Sequence, residues 1–90
     1  MINRNAWLLA LCLLAAPALA DNVRFDRGLV NSGDDAGKVS QVAGQPDRVV
    51  QLESNEGGNI GERWEYYQPR KTVQITFREG RVSSIREIFN

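Results

Sequence analysis

Polar and apolar residues alternate most strictly in the stretch 72–78, TVQITFR. Val73, Ile75 and Phe77 share one face there, and Thr72, Gln74 and Thr76 share the other, which predicts a half-buried strand. Glu79-Gly80 then supplies a two-residue hairpin connection, with Gly80 suited to positive φ. The returning segment Arg81–Phe89 is out of phase: Val82, Ile85, Ile88 and Phe89 stand at helical spacing. The hairpin turn and the β-branched content favour a strand over a helix, provided that a β-bulge near Ser83-Ser84 restores the alternation.

Working back from this hairpin, residues 62–68 predict another strand, with Trp64 and Tyr66 on one face and Arg63, Glu65 and Tyr67 on the other. Pro69-Arg70-Lys71 forms its turn. Residues 54–61, SNEGGNIG, hold three glycines and two asparagines and read as a mobile loop. Arg48–Glu53 predicts a short strand in which Val50 and Leu52 share a face.

The stretch 32–46 carries the helix signals. Asp34 or Asp35 is placed to cap it, Val39, Val42 and Ala43 make an apolar stripe, Gly44 ends it, and Pro46 prevents its continuation. Asp21 to Gly28 reads as an edge strand or a loose terminus, with Leu29-Val30 packing back on the helix or core. The predicted fold class is α+β: one or two short N-terminal helices on a three- to four-stranded antiparallel sheet, one face of which is left open.

The first twenty residues are set apart by composition. Arg4 precedes an uninterrupted apolar run over 7–16, and Ala18-Leu19-Ala20 matches an A-x-A cleavage site. This pattern predicts a cleaved signal peptide (1–20) and a single small domain (21–90) in the periplasm or secreted. The run is too short to span a bilayer, so no stable membrane insertion is expected after cleavage. Cys12 has Leu11 before it, where a lipidated cysteine needs a small residue, and it reads as part of the discarded leader.

Removing the leader leaves seventy residues with no cysteine and no histidine, and ten basic against eleven acidic side chains. Ser-His, Cys-His and ordinary zinc chemistry are excluded. The charge balance gives no general attraction to nucleic acid. Asp34-Asp35 is explained by capping and the helix dipole. Glu62 and Glu65 point to opposite faces of one strand, so they do not make a glycosidase pair. No metal, cofactor or catalytic residue is expected. Arg70, Lys71, Arg78, Arg81 and Arg86 make the second half locally basic, but Glu79 and Glu87 interrupt them, which suits a solvated sheet face. Arg63, Tyr67 and Arg78 are the candidate protein-binding residues, because Tyr and Arg dominate interaction hot spots. Asp34, Gly44, Pro46, Trp64, Phe77 and Gly80 are expected to be structural.

Gly33-Asp34, Val39, Gly44 and Pro46, then Glu62-Arg63-Trp64, Thr76-Phe77 and Glu79-Gly80-Arg81-Val82, together resemble a family of small exported bacterial domains of unknown function. The layout is more distantly similar to the SmpA/OmlA-like (BamE-like) domains of the bacterial envelope. The resemblance implies a non-catalytic protein-protein interaction module with an unidentified envelope partner, and leaves a homo-oligomer open. The alternative is an inhibitor of a periplasmic or secreted enzyme, since the β-lactamase inhibitor proteins have a similar fold. The family's two cysteines match Phe25 and Ala43 here, which implies an apolar contact between these residues in place of a disulfide.

Overall fold

The Glu79-Gly80 turn has positive φ at both residues, 54° and 80°, the geometry that matches strand twist in a two-residue hairpin. It joins two of the seven strands that the described residues form. A computed structural model describes residues 17–90. The apolar run 7–16, with Arg4 and Cys12, lies outside the described residues. The elements are β1 (Pro17–Ala20), β2 (Asn22–Phe25), β3 (Gly28–Asn31), α1 (Ala36–Ala43), β4 (Arg48–Glu53), β5 (Asn59–Tyr67), β6 (Lys71–Arg78) and β7 (Arg81–Phe89). Five strands form one antiparallel sheet in the order β1-β7-β6-β5-β4, and β2-β3 is a separate hairpin.

This corrects the α+β expectation. Among the described residues there is a single helix of eight residues where one or two were expected to cover the sheet. The sheet has five strands rather than three or four, with a separate two-stranded hairpin, so the fold is mostly β. Two segments account for the difference. Residues 17–20, assigned to the leader alone, pair with β7 as an edge strand. Residues 22–31, read as an edge strand or loose end plus a packing patch, close into a hairpin over Asp26-Arg27. The core explains why that hairpin is needed. It consists of Tyr66, Val73, Ile75, Phe77, Val82 and Ile85 from the sheet, Val39 from α1, and Val23, Phe25 and Val30 from the hairpin. An eight-residue helix covers only part of the apolar sheet face, so alternation in β2 supplies the remainder. Leu29 points outward and is exposed, while Val30 alone of that pair enters the core.

The β6–β7 register follows from the bulge. Phe77 faces Val82 but Thr76 faces Ser84, so Ser83 is the extra residue, as the phase of the sequence requires. The Ser83 hydroxyl donates to the Thr76 carbonyl at 3.3 Å. Both Val82 and Ile85 consequently point into the core. The residues before the helix are bonded to the start of β7: Gly33 N donates to Val82 O and Val82 N donates to Asp34 O, each at 2.8 Å. Asp35, not Asp34, is the N-cap, accepting from Lys38 N at 2.8 Å. Asp34 instead accepts from Asn31 N and pairs with Lys38. Gly44 ends the helix at φ 80°.

The segment read as a mobile loop is shorter and more ordered than expected. Asn59, Ile60 and Gly61 already belong to β5, and Ser54 Oγ accepts from Glu56 N and Gly58 N to close the turn. Gly61 has φ 145°, and a Cβ there would come within 2.1 Å of Phe77 O in the neighbouring strand. Gly61→Ala is therefore expected to lose about 2–3 kcal/mol by backbone strain and strand displacement. Gly58→Ala, whose added carbon meets only Ser54 Oγ at 3.5 Å, should lose less than about 1 kcal/mol. Urea denaturation of the two variants checks the contrast.

Candidate functional site

Cross-strand partners in an antiparallel sheet share a face, so the register alone defines what the side away from the core presents. One row crosses the whole sheet as Arg48, Glu65, Gln74, Arg86 and Leu19. The next row is Val50, Arg63, Thr76 and Ser84. On the other side, Tyr67, Thr72 and Ile88 lie opposite one another. Arg78 is two residues beyond Thr76 on β6 and lies on this same face, where its stem passes Gly61.

Glu65 sits at the centre and is only 5% exposed, the one buried charged residue among those described. Its two oxygens are fully engaged. Arg63 Nε donates to Oε2 at 2.9 Å, Gln74 Nε2 donates to Oε2 at 3.1 Å, and the Tyr67 hydroxyl donates to Oε1 at 3.0 Å. Burial by itself pushes the Glu65 carboxyl up, but the hydrogen bonds from Tyr67 and Arg63 and the charges of Arg63 and Arg48 outweigh it. The net effect holds the group below the usual glutamate range. Three flexible side chains are thus anchored on one carboxylate, which fixes the ring of Tyr67 while leaving it half exposed.

Two of the three candidate binding residues, Arg63 and Tyr67, are therefore brought together through Glu65; Arg78 shares their face without a hydrogen bond to the cluster. Sequence reading missed Arg48, Glu65, Gln74 and Arg86 as members. It also let Glu87 interrupt the basic run. Register places Glu87 on the opposite face, beside Val73, where it pairs with Lys71. The outward face carries four guanidinium groups around a carboxylate that is already neutralised. The signal that would have found this was the i, i+2 pattern Arg63-Glu65-Tyr67, read together with the bulge.

A second concavity of about 610 Å³ lies between the β2–β3 hairpin, the end of α1 and the end of β5, lined by Phe25, Arg27, Ala43, Asp47 and Tyr66 among others. Phe25 and Ala43 both line this cleft. Tyr66 is held there by an edge-on contact with Phe25 at 5.1 Å and by donating its hydroxyl to Gly44 O at 2.9 Å. Burial, then the Asp47 charge, pushes the Tyr66 phenol up to about 12. These features seal the helix end against the sheet. Among the described residues no group of three or more His, Cys, Asp or Glu is placed to hold a metal ion. Trp64 is half-buried against Phe77, 4.6 Å between ring centroids, and its indole N–H donates to Glu62.

No protein-family model, curated protein or solved structure matches the chain.

Because the folded pKa of Glu65 lies below its ordinary value of 4.5, its contribution to stability is complete above that pH. It is lost as pH falls through the folded value. Glu65→Gln is expected to cost about 1–2 kcal/mol at pH 7 by weakening three hydrogen bonds to a charged acceptor. The gap between variant and wild type should narrow steadily as pH falls below 4.5. Thermal denaturation across pH 3–7 checks both (roughly the range over which carboxylates titrate).

Proposed function

We propose that this chain is a non-catalytic protein-binding module of the bacterial cell envelope, and that it binds through the outward face of its sheet. The observation that carries the reading is the anchored cluster of Arg63, Tyr67 and Gln74 on buried Glu65, flanked on that face by Arg48, Arg78 and Arg86. A rigid tyrosine among arginines supplies contact area and directional donors with little ordering cost on binding. With its single central carboxylate already paired, the face presents net positive charge. The partner surface that complements it is acidic and polar, on a protein rather than in a small-molecule pocket. The exported address supports an envelope partner: the 1–20 segment has the composition of a leader. The order of Gly33, Gly44, Trp64 and the Glu79-Gly80 turn supports kinship with exported domains of the SmpA/OmlA-like kind. The same face could block an enzyme's entrance, and the identity of the captured partner separates adaptor from inhibitor.

The test is cross-linking of the tagged, processed protein in the cell envelope, followed by affinity measurement on the purified pair. Arg63→Ala and Tyr67→Ala are each expected to weaken binding about tenfold with the fold retained. Raising ionic strength should weaken it further. Trp64→Ala should instead lower stability, by about 3 kcal/mol, through the void left beside Phe77. Unchanged affinity in the Arg63→Ala, Tyr67→Ala double variant would move the binding surface elsewhere.

A further inference from the structure

β1 belongs at once to the sheet and to the segment that the sequence marks for removal. It runs antiparallel along the outer edge of β7, with Ala20 opposite Ile85, Leu19 opposite Arg86, Ala18 opposite Glu87 and Pro17 opposite Ile88. Ala20 packs on the core next to Ile85, which is fully buried. Leu19, on the outward face, is 73% exposed. The near half of the same edge is closed by other residues. Gly33 and Asp34 exchange backbone hydrogen bonds with Val82, and Asp35 bridges Arg81. Cleavage after Ala20 therefore opens a slot of fixed length, residues 85–88, next to the part of the edge that residues 33–35 close.

We propose that in the processed protein this slot takes up an extended segment of a partner protein as an added antiparallel strand, and that the leader's tail fills it in the precursor. An unpaired strand edge offers a row of backbone donors and acceptors that an incoming strand satisfies. The occupant already seated there specifies the chemistry. A small side chain fits opposite Ile85, where the core comes to the edge. The residue opposite Arg86 is unrestricted, since Leu19 stands in solvent. A second copy of β7 fits badly. A two-fold axis must pass through a residue of the strand: at Ile85 it runs the copy's strand into the backbone of Gly33 and Asp34 that closes the edge at Val82, and at Ile88 it leaves Ile85 without a partner. At Arg86 or Glu87 it sets like charges against each other. Like charges directly opposite are destabilising. The proposal rests on cleavage after Ala20 and uses a surface distinct from the Arg63–Tyr67 cluster.

The experiment begins with the mass of the protein purified from the cell envelope, followed by amide exchange with and without a synthetic peptide of residues 15–20, AAPALA. We expect a chain that starts at Asp21, and exchange slowed at least tenfold by the peptide at those β7 amides of 85–88 that point away from β6, since alternate amides of the strand are already bonded to β6. The same peptide carrying Ala20→Arg should give no protection, because the charge would lie against the core. A chain that retains residues 17–20 would make β1 a permanent strand and overturn the proposal. So would a processed chain whose β7 amides ignore the peptide. Protection without peptide, with a dimer mass in sedimentation, would assign the slot to a second copy. Partner binding measured with the Arg63→Ala variant reports on the outward face independently of all these outcomes.

Discussion

The phase change at Ser83 is the constraint on which the remaining structure depends. A strand that kept strict alternation from Val82 would carry Ile85 to the outward face, exposing a large apolar side chain and bringing Arg86 against the core. One extra residue prevents this. The Glu79-Gly80 turn sets Phe77 opposite Val82, and the bulge then sets Ile75 opposite Ile85. Two buried pairs on one face result, despite an odd spacing in the sequence. The same shift turns Arg86 outward into the row with Glu65 and sends Glu87 to Lys71 on the other side. Core and candidate binding face are thus consequences of one irregularity.

Covering that core is the second problem for a chain without cysteine after Cys12. The helix contributes one buried side chain and the hairpin three, so the hairpin does most of the covering. Tyr66 joins the two. Its ring meets Phe25 from the hairpin and its hydroxyl reaches Gly44 at the helix end. Aromatic packing and one hydrogen bond, both through Tyr66, thus connect the hairpin to the helix end. Such contacts act in the folded state, whereas a covalent link would also restrict the unfolded chain. All buried polar side-chain atoms among the described residues have partners, consistent with a small core that cannot absorb an unpaired group.

What the sequence made legible was local. The strict alternation of 72–78, the Glu79-Gly80 turn, the bulge, the Gly44 stop and the bounds of β4 all follow from residue types within a few positions of one another. What was not legible depended on partners distant in sequence. Asn22-Val23-Arg24-Phe25 is too short to distinguish a strand from a loose end until Val30 is found opposite Val23. The α+β reading failed at this point, because it assigned the work of covering the sheet to helices. The binding face was legible in part: alternation put Arg63 and Tyr67 on one side. Gln74 and Arg86 joined them only through register, and charge counted along the chain wrongly set Glu87 among the arginines.

The outward face and the β7 edge meet at Arg86. Leu19 lies opposite it in the sheet, so the strand occupying the slot also borders the basic row that crosses from Arg48. A partner that adds a strand beside β7 would extend this row by one residue of its own, directly opposite Arg86. An acidic side chain there would gain a cross-strand charge pair that the leader, with leucine, does not make. Strand addition supplies affinity through backbone bonds that any sequence offers, while the guanidinium row discriminates by charge. The two surfaces therefore favour the same partner, an acidic protein with an extended segment. On the proposed cleavage after Ala20, the edge becomes available only once residues 17–20 are removed, whereas the outward face is presented with them in place.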